Sequence, residues 1–120
     1  LLATAGELSA LLDSHHRAVL GARSLSLAPV VIVKRGSNGA TVHLLDSSGA
    51  SITFDVATRP LPAADTTGAG DAFDAGFLVA FAEARRTDRP TPAGLRRAVL
   101  AGHRAAARQL SGPRAELDLR

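Results

Sequence analysis

Residues 65–78 read DTTGAGDAFDAGFL, and the pattern changes character in the middle of them. Before Gly68 the chain is extended, with Pro60 and Pro62 excluding a helix between Thr58 and Thr67. After Gly70 the period becomes helical: Phe73, Phe77 and Phe81 lie four apart, with Ala80 and Ala84 on the same side. The junction is a loop of small residues, Gly68-Ala69-Gly70, running into a helix that begins near Asp71. The first backbone N–H groups of a helix have no internal acceptor and sit at the positive end of its dipole. Small side chains let an anion come close enough to use them. Asp71 stands at the helix start, where a carboxylate can take the proton of an attacking hydroxyl. Taken alone, the same residues also describe an acid that caps a helix behind a tight turn.

Upstream, Val30-Val31-Ile32-Val33 is a β-branched run, too short for a helix and apolar on both faces. It reads as a buried central strand. Arg35-Gly36-Ser37-Asn38-Gly39 supplies turn chemistry, and Thr41–Leu45 reads as the next strand. Ser47-Ser48-Gly49 is a second turn, followed by a third strand over Ser51–Ala57. Leu8, Leu11, Leu12, Val19 and Leu20 give residues 7–20 a helical spacing that Gly21 can stop. Downstream, Pro90 and Pro92 break the chain before a helix over Ala93–Leu110, whose buried stripe is Leu95, Val99, Gly102, Ala106 and Leu110. Helix, three strands and two helices make an α/β fold. His43 reads as a strand-surface residue.

At 120 residues the chain fits one domain, and 46% hydrophobic with 21% charged residues is a soluble globular composition. No apolar run approaches the roughly 20 residues that cross a bilayer. The N-terminal stretch carries Glu7, Asp13, His15 and His16 rather than a basic leader, so a signal peptide is not expected and the cytoplasm is the default location. With no cysteine, disulfides and thiolate metal sites are excluded. The net charge is +3, and Arg85, Arg86, Arg89, Arg96, Arg97, Arg104, Arg108 and Arg114 fall late. Without tyrosine or tryptophan to stack on bases, they read as a solvated helical face rather than a nucleic-acid-binding stripe.

Other chemistries lack their residues. There is no GxxxxGK[ST] loop, and GAGDAF lacks the third glycine of a dinucleotide fingerprint. Adjacent His15 and His16 cannot face one metal from a helix. Asp71 and Asp74, three apart, share a helix face instead of spanning a cleft, which rules out a glycosidase pair.

The string from Asp65 to Leu78 resembles, over its whole length, the second signature of the ribokinase/PfkB family of carbohydrate kinases. The resemblance implies the C-terminal part of a ribokinase-like three-layer α/β/α sandwich and an ATP-dependent phosphotransferase acting on a sugar or sugar-acid hydroxyl. It implies Asp71 as catalytic base and Gly68, Ala69, Gly70 and Asp71 as the anion hole for the γ-phosphate. Asp65 and Thr67 sit where members that use a monovalent cation such as K+ bind it. Lys34-Arg35-Gly36-Ser37-Asn38-Gly39, after its buried strand, is similar to the family's nucleotide-contacting turn, and the lysine resembles the 2-keto-3-deoxygluconate kinase-like branch. His103 matches a position near the adenine, and Gly112 a glycine near the cation and base pocket.

One departure concerns Mg²⁺. The family carries an Asn-x-x-Glu motif that organises Mg²⁺ and phosphates; here Glu7 matches its glutamate, while Thr4 stands at the asparagine. Either magnesium organisation is altered or Glu7 is a helix-start acid. The resemblance covers residues 1–120 but only the C-terminal portion of such a kinase, so a longer protein is expected. The Gly-rich first signature, the N-terminal strands and the lid, through which many relatives dimerise, are not among these residues. Three alternatives stay open: a non-catalytic nucleotide-binding remnant or interaction module, a basic nucleic-acid-binding domain, and a nucleoside or vitamin-precursor kinase of the same superfamily.

Overall fold

The structure, a computed structural model, describes residues 1–4, 7, 25, 28–59, 68–85 and 90–111. Among them, four strands form one mixed sheet in the order β1 (Leu2–Thr4), β2 (Val30–Lys34), β3 (Ala40–Leu45), β4 (Ser51–Val56). Two helices follow, α1 (Ala69–Ala84) and α2 (Pro92–Ser111). β1 and β2 are parallel, with Ala3 opposite Val33; β2, β3 and β4 form an antiparallel meander, with Ile32 opposite Val42 and Val42 opposite Phe54. The β2, β3, β4, α1 and α2 of the structure fall within two residues of the expected bounds. β1 is a correction, because the sequence reading counted three strands. Three residues carry too little alternation to announce a strand, and only pairing with β2 makes it one. The expected helix over 7–20 lies outside the described residues except for Glu7, as does the 112–120 tail.

β2 occupies the middle of the sheet because it has no polar side to show. Val31, Ile32 and Val33 are all buried on its two faces. On one face Ile32, Val42, Leu44 and Val56 meet Phe73 and Phe77 of α1 and Leu95, Ala98 and Val99 of α2. Each such side chain fully withdrawn from water contributes about 1.5–3 kcal/mol. On the other face Ala3, Val31 and Val33 form a second apolar cluster with Leu25 and Ala28.

On β3 that second face turns polar without becoming exposed, while Thr53 and Asp55 opposite it on β4 are exposed. Thr41 and His43 are buried, so the reading of His43 as a surface residue is corrected. The neighbouring strand provides the partners that burial requires. Thr41 Oγ1 donates to Asp55 Oδ1 at 2.7 Å, and His43 Nδ1 lies 3.0 Å from Thr53 Oγ1. Burial pushes the His43 pKa down, against the smaller opposing pull of the Asp55 charge.

The helices pack closely because two side chains are absent. A Cβ on Gly76 would stand 2.7 Å from Ala105 Cβ, and one on Gly102 would stand 2.7 Å from the Phe73 ring. Along α1, Phe73, Phe77 and Phe81 stack in sequence, with ring centroids 6.3 Å and 5.4 Å apart. The opposite side of α1 leaves Leu78 and Val79 exposed, and Ala84, expected on the apolar face, is exposed too. Arg96, Arg97, Arg104 and Arg108 point to solvent from α2. No helix among the described residues is long and apolar enough to cross a membrane.

Candidate functional site

β2 ends at Lys34, and the chain reverses through a 3-10 turn, Gly36–Asn38, before returning as β3. Arg35 N–H donates to the Gly39 carbonyl at 2.9 Å and Asn38 N–H to the Arg35 carbonyl at 3.0 Å. Gly39 has φ 87°, and a Cβ there would collide with the Val56 carbonyl oxygen. Both conditions demand glycine, and together they press the turn against the end of β4. Arg35 turns away from the turn's open side: its Nη2 lies 3.3 Å from Asp55 Oδ1, fastening the turn to β4.

The start of α1 faces this turn. Gly68 takes φ 83°, a left-handed conformation at the entrance to the helix, and no side chain caps it among the described residues. Ala72 N–H donates to the Gly68 carbonyl at 2.9 Å, so Ala69, Gly70 and Asp71 precede the first intrahelical donor. Asp71 is exposed in this first turn. Above Gly70, whose Cβ position lies 3.9 Å from Lys34 Nζ, the Lys34 ammonium reaches across from β2. It donates to Asp74 Oδ1 at 2.9 Å.

His103 of α2 closes the far end. Its ring leans on Phe73, with centroids 5.2 Å apart and planes tilted 59°. One ring nitrogen bonds the Val56 backbone, while Nε2 is buried with no hydrogen-bond partner among the described residues. Burial lowers the His103 pKa, and the Val56 bond opposes that shift more weakly. The ring is therefore held neutral, a hydrogen-bond acceptor at Nε2 when the other nitrogen carries the proton.

These elements border one pocket. Of the residues singled out in the sequence, Lys34, Gly36, Ser37, Gly39, Ala69, Gly70 and His103 line it. Arg35, Asn38, Gly68 and Asp71 are adjacent in the chain but lie outside the lining. Asp65, Thr67 and Gly112 lie outside the described residues. Sequence reasoning missed Thr58, Arg59, Phe73, Ala106, Ala107 and Leu110 as lining residues. In the sequence Phe73, Ala106 and Leu110 are only apolar helix positions, and nothing in a stripe tells core from pocket wall.

Glu7 and Thr4 bond to each other at both ends. The Glu7 N–H donates to Thr4 Oγ1 at 3.1 Å, and Glu7 Oε1 accepts from Thr4 N–H at 3.2 Å. This reciprocal pair is a capping box, in which threonine does what it does best at a helix start. The Thr4 bonds, with a smaller contribution from the Lys34 charge, hold the Glu7 pKa below the usual carboxylate value. Among the described residues no three acidic or histidine side chains gather to hold a metal.

Comparison with known proteins gives concordant matches. The family described as "pfkB family carbohydrate kinase" matches residues 1–118. An ATP-dependent ribose-1-phosphate kinase of Halopiger xanaduensis is 51% identical over 49 residues, 41% of this chain and 15% of that protein. The fructokinase of Vibrio cholerae O395, solved with fructose, ADP and calcium, superposes with a TM-score of 0.75 at 26% identity, covering 91% of this chain and 33% of that one. The aminoimidazole riboside kinase of Salmonella enterica, solved with aminoimidazole riboside and an ATP analog, gives 0.70 at 27% identity, covering 99% and 38%. The chain thus spans about a third of the length of these solved kinases.

Proposed function

Because this chain belongs to the pfkB family of carbohydrate kinases, we propose that its residues 1–120 form the nucleotide-binding and catalytic end of an ATP-dependent phosphotransferase acting on a hydroxyl of a sugar or sugar acid. The observation that carries the reading is the single pocket joining the Lys34–Gly39 turn, the start of α1 and His103. It offers backbone donors and a cation at one end, and at the other a half-buried aromatic wall whose ring nitrogen has no partner among the described residues. Nucleoside triphosphates have the same polarity, phosphates at one end and a flat base at the other.

In this arrangement the terminal phosphates lie against the N–H groups of Ala69, Gly70 and Asp71, where the helix dipole favours negative charge. The base lies between the Gly36–Gly39 turn and the ring of His103, whose neutral Nε2 accepts from an exocyclic amine. A buried acceptor left unpaired costs about 1–3 kcal/mol, and such a donor would relieve it. Asp71, exposed beside the phosphate end, takes the proton of the acceptor hydroxyl as the new O–P bond forms and the bond from the γ-phosphorus to the β–γ bridging oxygen breaks, releasing ADP. Mg²⁺ fits as an ion brought in by the nucleotide, neutralising its phosphate charge and keeping most of its water, with Glu7 the carboxylate available to that water shell.

The named relatives phosphorylate, by their names, a sugar, a sugar phosphate and a riboside, which supports a sugar hydroxyl as the acceptor class. The exposed Leu78 and Val79 on α1 suit a helix that packs against further residues of a longer kinase. Calorimetric titration with MgATP tests the reading. Saturable one-to-one binding that disappears in Gly68→Val is expected, since valine cannot adopt φ 83° without strain and would push into Gln109. Binding that survives Gly68→Val unchanged would move the phosphates elsewhere.

A further inference from the structure

Lys34 is the single lysine of a chain with thirteen arginines. At every other basic position the sequence uses a guanidinium; here alone it uses a compact ammonium on a flexible stem. The two are not interchangeable, since an ammonium is a point charge that fits where a planar fork does not. The stem is largely covered, with the side chain 16% exposed, and Nζ stops over the first turn of α1.

That is an unfavourable place for a cation. The N-terminus of a helix already carries partial positive charge, so an ammonium there is repelled unless an anion lies nearby. Asp74 provides it, one turn along the same helix, at 2.9 Å from Nζ. The carboxylate holds by a charge-assisted hydrogen bond what the dipole would otherwise push away. The Glu7 carboxyl is held low chiefly by its bonds with Thr4, and the Lys34 charge adds only a minor pull. Lys34 is therefore a cation kept in place by Asp74, beside the pocket that it helps to line.

The geometry points to Asp74 as a positioning residue: it holds the Lys34 ammonium over Gly70, so that Lys34 meets the transferred phosphoryl group as a preset positive charge. The inference rests on the reading of the pocket as a nucleotide site. Asp74 touches neither phosphate nor acceptor and acts only through Lys34. A preset donor costs no reorganisation at the moment charge develops on the phosphoryl oxygens, and this is where electrostatic catalysis gains most.

A double-mutant cycle on the complete kinase that carries this chain tests the proposal, with kcat, the KM for ATP and ADP affinity measured for each variant. Lys34→Ala should lower kcat about 100-fold, the loss typical of one donor to developing charge. Asp74→Asn should lower kcat about tenfold, the size of a lost charge-assisted bond, with the KM for ATP little changed. Asp74→Glu should restore most of that loss. In the Lys34→Ala background Asp74→Asn should have no further effect, because the carboxylate then has nothing to hold. An Asp74→Asn loss that persists without Lys34 overturns the proposal, as does a loss traced to a lower melting temperature and shared by Asp74→Glu. Unaltered protein that binds neither ATP nor ADP overturns the nucleotide reading itself. Intact ADP binding with additive mutant effects overturns the role of Asp74 alone.

Discussion

A methyl group on Gly102 would stand 2.7 Å from the ring of Phe73, so α1 and α2 meet where a side chain is missing. Phe73 cannot step aside freely, because it is buried, stacks on Phe77 and supports His103. Gly102→Ala should therefore destabilise the fold by about 1–3 kcal/mol through overpacking. Thermal melts should show a drop of roughly 5–10 °C. The displaced ring should also weaken MgATP binding by moving His103. An unchanged melting temperature would mean that the helix interface yields more easily than its packing indicates.

The proposed base can be separated from the proposed anion site. Asp71→Asn keeps the size of the side chain and the backbone amide but loses the proton acceptor. Turnover should fall by about 10²–10⁴, the range for loss of a positioned base. ATP affinity should stay nearly constant, since in the proposed site Asp71 would contribute its N–H to the phosphates and not its carboxylate. Normal turnover in this variant would remove Asp71 from the chemistry.

Acid should loosen the sheet through His43. Burial holds its folded pKa below the ordinary imidazole value of about 6.5, so the unfolded chain binds the proton more readily. The stability present above that value is then lost as pH falls towards the depressed folded pKa, and no further below it. His103 is shifted in the same direction and adds to the loss. Denaturant titrations between pH 7.5 and pH 5 should show a smaller acid loss for His43→Gln than for the unaltered chain. Equal losses in both would show that His43 takes no part.

Gly39 joins the turn to β4 through bare backbone. Alanine there must take φ 87° and also place its Cβ against the Val56 carbonyl. The left-handed conformation alone costs about 1–2 kcal/mol, and the collision adds to it. Gly39→Ala should shift the urea midpoint down with the slope unchanged. Gly36→Ala, at φ 57° but with open space around it, should cost less. A reversed order would contradict the contact with Val56.

Most of the fold was legible because its main elements carry their own period. Val30–Val33, the phenylalanines of α1 and the Leu95–Val99 stripe each state locally which way they face. The parts that were not legible depend on distant partners. β1 exists through its pairing with β2, and the burial of His43 follows from Thr53 on the next strand. Lys34 and Asp74 are 40 residues apart, and nothing in either segment names the other. Within the site, the glycines and Asp71 could be read from their spacing, whereas Phe73 and Leu110 as pocket walls required the helices to be placed. Thr4 and Glu7 show the reverse case: the motif was visible, and only geometry showed it acting as a capping box.

The proposed phosphate end of the pocket is lined by residues with little or no side chain, Ala69 and Gly70, and the turn beside it adds Gly36 and Gly39. A peptide N–H belongs to every residue except proline, so sequence drift cannot readily delete such donors. It can only add atoms that stand in the way. Alanine scanning, which works by subtraction, would pass over much of this wall, since there is little to subtract. Substitution towards larger residues is the scan that would reveal it, and a chain losing this activity over evolutionary time would record the loss as side chains gained.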